Sequence, residues 1–253
     1  MPSQLISPAV VLRVQPYAEA DLIVALLTAQ RGRLDVLARG ARSSRKRFAG
    51  ILRPFCQLQV LVDSKRPGSL HSLTGAELER DLLGTTVDYG ALCLASYLCE
   101  LAAHVAQPEH ADPRLLRWLV TTVPWCGELA RPDDLPALKV AAEAGLLRVL
   151  GLLPDLLLCG RCGGDLQPAG HWEPDGHGLL CTHCAPHQRD ATPHAVLAQL
   201  TACLASSERS AALQIPATGR SLLEDRLQRL LRQAVPQAGK AERALRSHLL
   251  GLD

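Results

Sequence analysis

Aromatic side chains are scarce in this sequence of 253 residues, which contains three Trp, three Tyr and two Phe. Proteins that bind single-stranded nucleic acid without sequence preference usually stack bases on aromatic side chains. Only Tyr17, Phe48 and Phe55 lie in the first third of the chain. Nucleic-acid binding by this third is therefore expected to depend mainly on charge, to accept single and double strands, and to weaken steeply with salt.

The familiar sequence motifs of enzymes are also missing. The chain contains no phosphate loop G-x-x-x-x-G-K-[ST], no G-x-S-x-G, no H-E-x-x-H and no G-x-G-x-x-G. The absence of these motifs favours a binding protein over an enzyme.

No apolar run is long enough to predict a membrane span, because charged residues interrupt the two longest stretches, 82–106 and 135–153. Both are predicted to be buried helices. The first eight residues lack the basic segment and apolar stretch of a signal peptide. We therefore expect a cytoplasmic protein without a membrane partner.

The net charge of +2 is unevenly distributed along the chain. Residues 1–80 contain 12 Lys and Arg against 6 Asp and Glu, whereas the remainder contains 15 against 19. A basic segment next to an acidic one indicates a polyanionic partner for the basic part.

Five short strands are predicted within the first eighty residues, at 8–14, 21–28, 33–38, 55–62 and 69–75. The strongest hairpin turns are Gln30 to Arg33 and Arg66 to Ser69. Five strands in a small basic unit favour a barrel of the OB type, whose strands and loops commonly bind oligonucleotides. An SH3-like barrel is the alternative, since the number of strands does not exclude it.

Beyond residue 80 the apolar spacing becomes helical. Helices are predicted within 82–106 and at 114–123, 135–150, 194–205 and 220–234, with Asp112 and Asp134 as helix-capping residues. The predicted fold class is α+β, with an OB-type DNA-binding domain at 1–80 and an all-helical domain at 81–253. A four-cysteine zinc module, 157–187, is inserted into the helical domain.

Two C-x-x-C pairs define this module. Cys159 and Cys162 are separated from Cys181 and Cys184 by the eighteen residues from Gly163 to Leu180, a spacing typical of a zinc site built from two turns. Four thiolates complete a tetrahedron and leave no position for water, so we expect one structural Zn²⁺. A rubredoxin-like iron ion has the same ligands and remains an alternative, as do four free thiols without a metal. The five other cysteines, outside the module, are expected to be ordinary core or surface residues.

A zinc-dependent nucleobase deaminase is the alternative function. His171 and Glu173, followed by Cys181 and Cys184, resemble the H-x-E…P-C-x-x-C signature of that class. Leu180 replaces the proline, however, and Cys159 and Cys162 would have no role. His171, His177, His183 and His187 are predicted to lie in loops, with His183 as a possible replacement ligand.

A cluster of five cations occupies Arg39 to Arg47. Like charges so close together repel one another, which favours a phosphate backbone as the partner. The candidate DNA-binding residues are Arg39, Arg42, Arg45, Lys46 and Arg47, extended by Arg31, Arg33, Arg53, Lys65 and Arg66. A solvated loop without a ligand is the alternative. The arginines between 220 and 246 are expected to form a solvated helical face, with DNA contact as the alternative.

Two segments resemble the RecO family. Arg39 to Arg42 with the basic run and Leu52 to Phe55 is similar to that family's N-terminal G-A-R…Q-P-F pattern, with Arg53 at the glutamine position. The stretch from Leu146 to Leu156, leading directly into Cys159 and Cys162, is similar to the family's helix before its zinc-binding turns. The second similarity is the more specific one.

This resemblance implies an OB fold, a helical domain with an inserted zinc module, and a role in DNA repair and homologous recombination after DNA damage. It implies a recombination mediator of the RecF pathway that binds single- and double-stranded DNA and anneals single strands. It further implies cooperation with RecR, so that RecA replaces single-strand binding protein on DNA. The cell compartment would be the cytoplasm, in association with the nucleoid.

Overall fold

The first five strands close into a barrel in the order β1-β2-β3-β5-β4. Their bounds are β1 Gln4–Tyr17, β2 Asp21–Thr28, β3 Gly32–Ala38, β4 Cys56–Asp63 and β5 His71–Asp81. Strand β1 pairs with both β2 and β4, and β3 meets β5 in a short parallel contact. This topology confirms the predicted OB-type barrel. The computed structural model describes residues 4–44, 46–63, 70–84, 88–128, 131–173, 178–187, 190–236 and 239–249.

The barrel interior is filled by alternate residues of each strand. Strand β4 shows the pattern most clearly, because Leu58, Val60 and Val62 are buried while the residues between them are partly exposed. This follows from the geometry of a strand, in which successive side chains point to opposite faces. The interior also contains Ala41, Phe48 and Leu52 from the segment between β3 and β4.

Strands β1 and β5 extend beyond their predicted bounds. Strand β1 pairs with β4 through its first half and with β2 through its second, and the register shifts between Val11 and Arg13. Strand β5 continues past Gly75 to Asp81, because its ladder with β4 persists through two register shifts. Pairing between strands thus maintains the extended conformation where the sequence turns polar.

Seven α-helices follow the barrel in the described part of the chain: α1 Tyr89–Val105, α2 Pro113–Gly127, α3 Leu135–Val149, α4 His194–Ser206, α5 Arg209–Leu213, α6 Arg220–Ala234 and α7 Lys240–Leu249. The α+β fold class is confirmed. Helix α2 begins as predicted, since the Asp112 carboxylate accepts a hydrogen bond from the Arg114 amide. Helix α5, with five residues, was not predicted; α7 contains Arg243 and Arg246, which were expected on a helical face, but its bounds were not predicted, and it buries only Leu245.

The predicted capping role of Asp134 is wrong. Asp134 ends a short 3-10 helix, Pro132–Asp134, and makes no side-chain cap on α3. Its carboxylate instead forms an ion pair with Arg209, at 3.5 Å. The Asp134 carboxylate therefore pairs with an arginine 75 residues away instead of with the first amides of α3.

Two units divide the chain. The first comprises residues 1–128 and 238–253, and the second comprises 129–237. These bounds do not coincide with the predicted domains 1–80 and 81–253, because α1, α2 and α7 belong to the same unit as the barrel. The second unit contains a small sheet, β7-β6-β8, formed by β6 Ala169–Trp172, β7 Leu179–Leu180 and β8 Ala191–Pro193.

Five cysteines lie outside the C-x-x-C pairs, and all of them are buried: Cys56, Cys93, Cys99, Cys126 and Cys203. Burial raises the pKa of Cys99 to about 12. These thiols are core residues, as predicted. None of the described helices is long and apolar enough to cross a membrane.

Candidate metal centre and nucleic-acid interface

The sulfur atoms of Cys159, Cys162, Cys181 and Cys184 all lie within 4.8 Å of one another. The Cys162 and Cys181 sulfurs are 3.8 Å apart. Four thiolates around zinc at ~2.3 Å in a tetrahedron have their sulfurs about 3.8 Å from one another. The spacing therefore fits one tetrahedral metal ion.

Tight turns orient both cysteine pairs. In the first pair the Gly163 amide donates to the Cys159 carbonyl at 2.8 Å, and Gly163 has a φ of 71°, which favours glycine. In the second pair the Cys184 and Ala185 amides both donate to the Cys181 carbonyl. Strands β6 and β7 pair antiparallel and return the chain, so that Cys181 comes back to the first turn.

The thiols of this group interact strongly with one another. Burial opposes ionisation of Cys159, but the backbone amides of Cys162, Cys181 and Arg161 donate hydrogen bonds to its sulfur and lower its pKa to about 6. Desolvation, together with the neighbouring sulfurs, raises the pKa of Cys184 to about 12. Four sulfurs this close favour full ionisation only when a cation is present, which is the expected behaviour of metal ligands.

His171 and Glu173, the candidate deaminase residues, are not part of the described metal-ligating group. The prediction of a loop at His171 is wrong, because His171 lies in β6 opposite Leu180. Its ring is buried, and neither ring nitrogen has a hydrogen-bond partner among the described residues. His183 and His187 lie in turns as predicted, and His183 does not belong to the group. His177 lies outside the described residues.

The basic segment between β3 and β4 is anchored in the barrel. Ala41, Phe48 and Leu52 insert into the core, where Phe48 is 1% exposed. The Ser44 hydroxyl accepts hydrogen bonds from the amides of Arg47 and Phe48 at 3.1 and 3.3 Å. The cations between these anchors are consequently held at the surface.

Four of the predicted DNA-binding cations are exposed on this segment: Arg39, Arg42, Lys46 and Arg47. Within the described residues, none of the four forms an ion pair with a carboxylate. The Arg42 guanidinium donates to the Glu19 carbonyl at 2.9 Å, and the Arg47 guanidinium lies 4.7 Å from the Phe48 ring centroid. These contacts orient the side chains without neutralising their charge.

The other predicted cations have different surroundings. Arg31 pairs with Glu109, Arg53 pairs with Asp81 at 2.8 Å, and half-buried Arg33 donates to the Ala103 carbonyl at 2.8 Å. A cation whose charge is matched by a carboxylate attracts a phosphate less strongly. Arg45, Lys65 and Arg66 lie outside the described residues.

Comparison with known sequences places both parts of the chain in one family. Residues 1–81 match the family model described as Recombination protein O N terminal, and residues 87–243 match Recombination protein O C terminal. The chain belongs to the RecO family. Its two matched segments together cover the barrel, most of the helical part and the four-cysteine group.

Curated RecO sequences resemble the chain over most of its length. The DNA repair protein RecO of Anaeromyxobacter dehalogenans strain 2CP-C is 36% identical over 178 residues, which is 70% of this chain and 69% of that protein. The Pelobacter propionicus protein is 36% identical over 199 residues, 78% of each chain. The Myxococcus xanthus protein is 30% identical over 217 residues, covering 85% of this chain and 87% of the relative. The resemblance to the RecO family is confirmed.

Tyr17 lies near the basic segment and is not among the predicted site residues. It is half exposed at the end of β1, next to the turn that contacts the basic segment. The signal available in the sequence was an aromatic residue between two predicted strands, 8–14 and 21–28, in the basic third of the chain.

Proposed function

We propose that this RecO-family protein is a DNA repair and homologous recombination mediator that acts by binding, without catalytic turnover. It binds single- and double-stranded DNA, anneals single strands and, together with RecR, promotes RecA loading onto strands covered by single-strand binding protein. Its place of action is the cytoplasm, on the nucleoid. The single observation that supports DNA binding most directly is the anchored basic segment, whose four exposed cations have no carboxylate partner among the described residues.

The mechanism that fits this segment is neutralisation of phosphates. Ala41, Phe48 and Leu52 fix the backbone, so less chain entropy is lost when the cations contact DNA. Each neutralised phosphate releases counterions, and the affinity therefore falls with salt concentration. If roughly five phosphates are neutralised, the log–log salt slope is about −3.5 on single strands and about −4.5 on duplex.

The test is a DNA titration at several salt concentrations, with and without RecR. The variant carries four changes, Arg39→Ala, Arg42→Ala, Lys46→Ala and Arg47→Ala, and it should bind more weakly, with a slope shallower by about 3 on single strands. A salt slope near zero for the unaltered protein would reject the proposal. Addition of RecR should change the binding curve, and an identical curve would remove RecR from the proposed mechanism.

A matched control removes the same charge elsewhere. Arg229, Arg232, Arg243 and Arg246 are exposed on α6 and α7, and replacing all four by alanine also removes four cations. This control should retain the DNA affinity and the salt slope. If the control loses affinity while the first variant does not, the interface lies on the C-terminal helices instead.

We also propose that Cys159, Cys162, Cys181 and Cys184 hold one structural Zn²⁺. The sulfur spacing supports this ligand set, and a four-thiolate shell leaves no position for a substrate. Replacing Cys159 by serine should remove the metal, as measured by elemental analysis of the purified protein. Cys203→Ser, which changes a buried thiol of the same unit, should retain one zinc ion per chain. Undiminished zinc in Cys159→Ser, or iron in the unaltered protein, would contradict the proposal.

A further inference from the structure

Tyr17 lies at the end of β1 with 50% of its surface exposed, on the outer face of the barrel. After the register shift near residue 12, Val14 packs toward the core, and Arg13, Gln15 and Tyr17 alternate with it toward the outside. The neighbouring outward positions are Ile23 on β2, opposite Gln15, and Leu37 on β3, opposite Ile23. Both are partly exposed, so Tyr17 borders a small open surface with apolar and polar side chains.

The turn that follows Tyr17 is bonded to the basic segment. Asp21, opposite Tyr17 in the hairpin, accepts a hydrogen bond from the Gly40 amide at 2.7 Å. The Arg42 amide donates to the Ala20 carbonyl at 3.0 Å, and the Arg42 side chain donates to the Glu19 carbonyl at 2.9 Å. Tyr17 therefore stands directly before a turn that is hydrogen-bonded to the segment carrying the cations.

Other aromatic residues of the barrel are not available for stacking. Phe48 is buried in the core, and Phe55 is half buried. Among the described Phe, Tyr and Trp residues of the barrel, Tyr17 alone is exposed. A stacking contact on this side of the protein would therefore depend on one side chain.

We propose that Tyr17 stacks on an unpaired base of DNA whose phosphates are held by the basic segment, and that this contact makes the barrel favour single strands over duplex. The inference rests on the proposed DNA-binding function. A base in a single strand has an open face, whereas a base in duplex is already stacked on both sides and is costly to extrude. The cations contact both forms of DNA, and Tyr17 supplies the discrimination.

The test compares Tyr17→Ala and Tyr17→Phe on a single-stranded oligonucleotide and on its duplex. Tyr17→Ala should weaken single-strand binding about tenfold, because one aromatic stacking contact is lost. Its duplex affinity should change by less than about twofold, and its salt slope should be unaltered because no phosphate contact is removed. Tyr17→Phe retains the ring and should bind as the unaltered protein does.

Two controls separate stacking from other effects. On an abasic oligonucleotide of the same length, which has phosphates but no bases, Tyr17→Ala and the unaltered protein should bind equally. Tyr89→Ala removes the other strongly exposed tyrosine of this unit, which is 53% exposed on α1, and should leave DNA binding unchanged.

The outcomes distinguish this inference from the proposed function. Unchanged single-strand affinity of Tyr17→Ala, an equal loss on duplex, or a loss that persists on the abasic oligonucleotide would each overturn the stacking role while leaving DNA binding intact. If the unaltered protein does not bind DNA even at low salt, both the proposed function and the role of Tyr17 are wrong.

Discussion

Gly32 illustrates how a single residue permits a contact between distant parts of the chain. It opens β3 with a φ of 60°, and a Cβ atom at this position would lie 2.0 Å from the His110 carbonyl oxygen. The segment after α1 pairs with the start of β3 here, as the Glu109 amide donates to the Arg33 carbonyl at 3.1 Å. Strand β5 reaches only Val36 and Leu37 of β3, so this segment covers the part that β5 leaves open.

Gly32→Ala is expected to destabilise the protein by about 3 kcal/mol, because it combines a left-handed backbone conformation with a backbone clash. Gly50→Ala is the matched control, since Gly50 has a φ of 75° and nothing lies within 4 Å of an added Cβ. The control should cost about 1 kcal/mol. Denaturant unfolding measures both, and equal losses would show that the contact with residues 107–110 contributes little.

Helix α7 shows how an element with a weak sequence signal is held in place. It buries only Leu245, but Glu100 on α1 accepts hydrogen bonds from the Lys240 and Ala241 amides at 3.3 and 2.9 Å. The His248 ring meets the Tyr89 ring edge-on, with centroids 5.4 Å apart. The Glu100 carboxylate on α1 therefore caps the first turn of α7, a role that is usually filled by the residue directly before the helix.

Glu100→Ala should destabilise the docking of α7 by about 1 kcal/mol, because two amides lose their acceptor and the helix N-terminus loses a negative charge. Hydrogen exchange of the α7 amides should become faster, while exchange in β4 stays unchanged. Glu100→Gln retains an acceptor oxygen and should show a smaller effect. Unaltered exchange in α7 for Glu100→Ala would contradict the capping role.

Helices α3 and α6 share a buried ion network. The Lys139 ammonium lies 2.9 Å from Glu143 and 2.8 Å from Glu224, and Lys139 is 2% exposed. Burial by itself lowers the pKa of Lys139, but the two carboxylates outweigh it and raise the pKa above its ordinary value of 10.5. Lys139 therefore contributes stability that is fully present below pH 10.5 and is lost only as the pH rises through the higher folded-state pKa.

Lys139→Met should destabilise the protein by about 3–5 kcal/mol, since it leaves the buried Glu143 without its cation. The double variant Lys139→Met with Glu143→Leu should recover more than half of this loss, because an apolar pair replaces the ionic one. Chemical denaturation at pH 7 and pH 9 measures the free energy of unfolding of each protein. The loss caused by each variant should be similar at the two pH values. A double variant as unstable as the single one would show that an apolar pair cannot replace the ion pairs.

At the scale of the whole molecule, the two units carry different candidate sites. The barrel unit, residues 1–128 and 238–253, contains the basic segment and Tyr17, and the unit 129–237 contains the four-cysteine group. The excess of cations also lies in the barrel unit, within residues 1–80. A change at one site is therefore expected to leave the other in place.

Chelation of the proposed metal should abolish protection from hydrogen exchange in the described residues of the segment 157–187 and leave DNA affinity within about threefold of that of the untreated protein. The reason is that a small metal-bound module folds with its metal, whereas the barrel has an apolar core of its own. Titration of the treated protein with DNA is the measurement. A complete loss of DNA binding would show that the metal-binding unit takes part in the interface.

Much of the fold was predictable because its signals are local. The alternation in β4 and the helical spacing of leucines in α6 reflect the periods of a strand and a helix, and β2 and α6 have their predicted bounds. Asp134 and His171 were misjudged because each is governed by a contact outside its own segment: the ion pair with Arg209 and the pairing with Leu180. Such partners cannot be identified from the spacing of residues.

The sequence by itself determined the cysteine group and the basic segment, because a C-x-x-C turn and a run of cations are each defined within a few residues. Only the tertiary structure decided which cations keep their charge available. Arg31 meets Glu109 across 78 residues and Arg53 meets Asp81 across 28, whereas Arg39 and Lys46 meet no described carboxylate. Pairing of charges depends on distance in space, and the folded chain sets that distance.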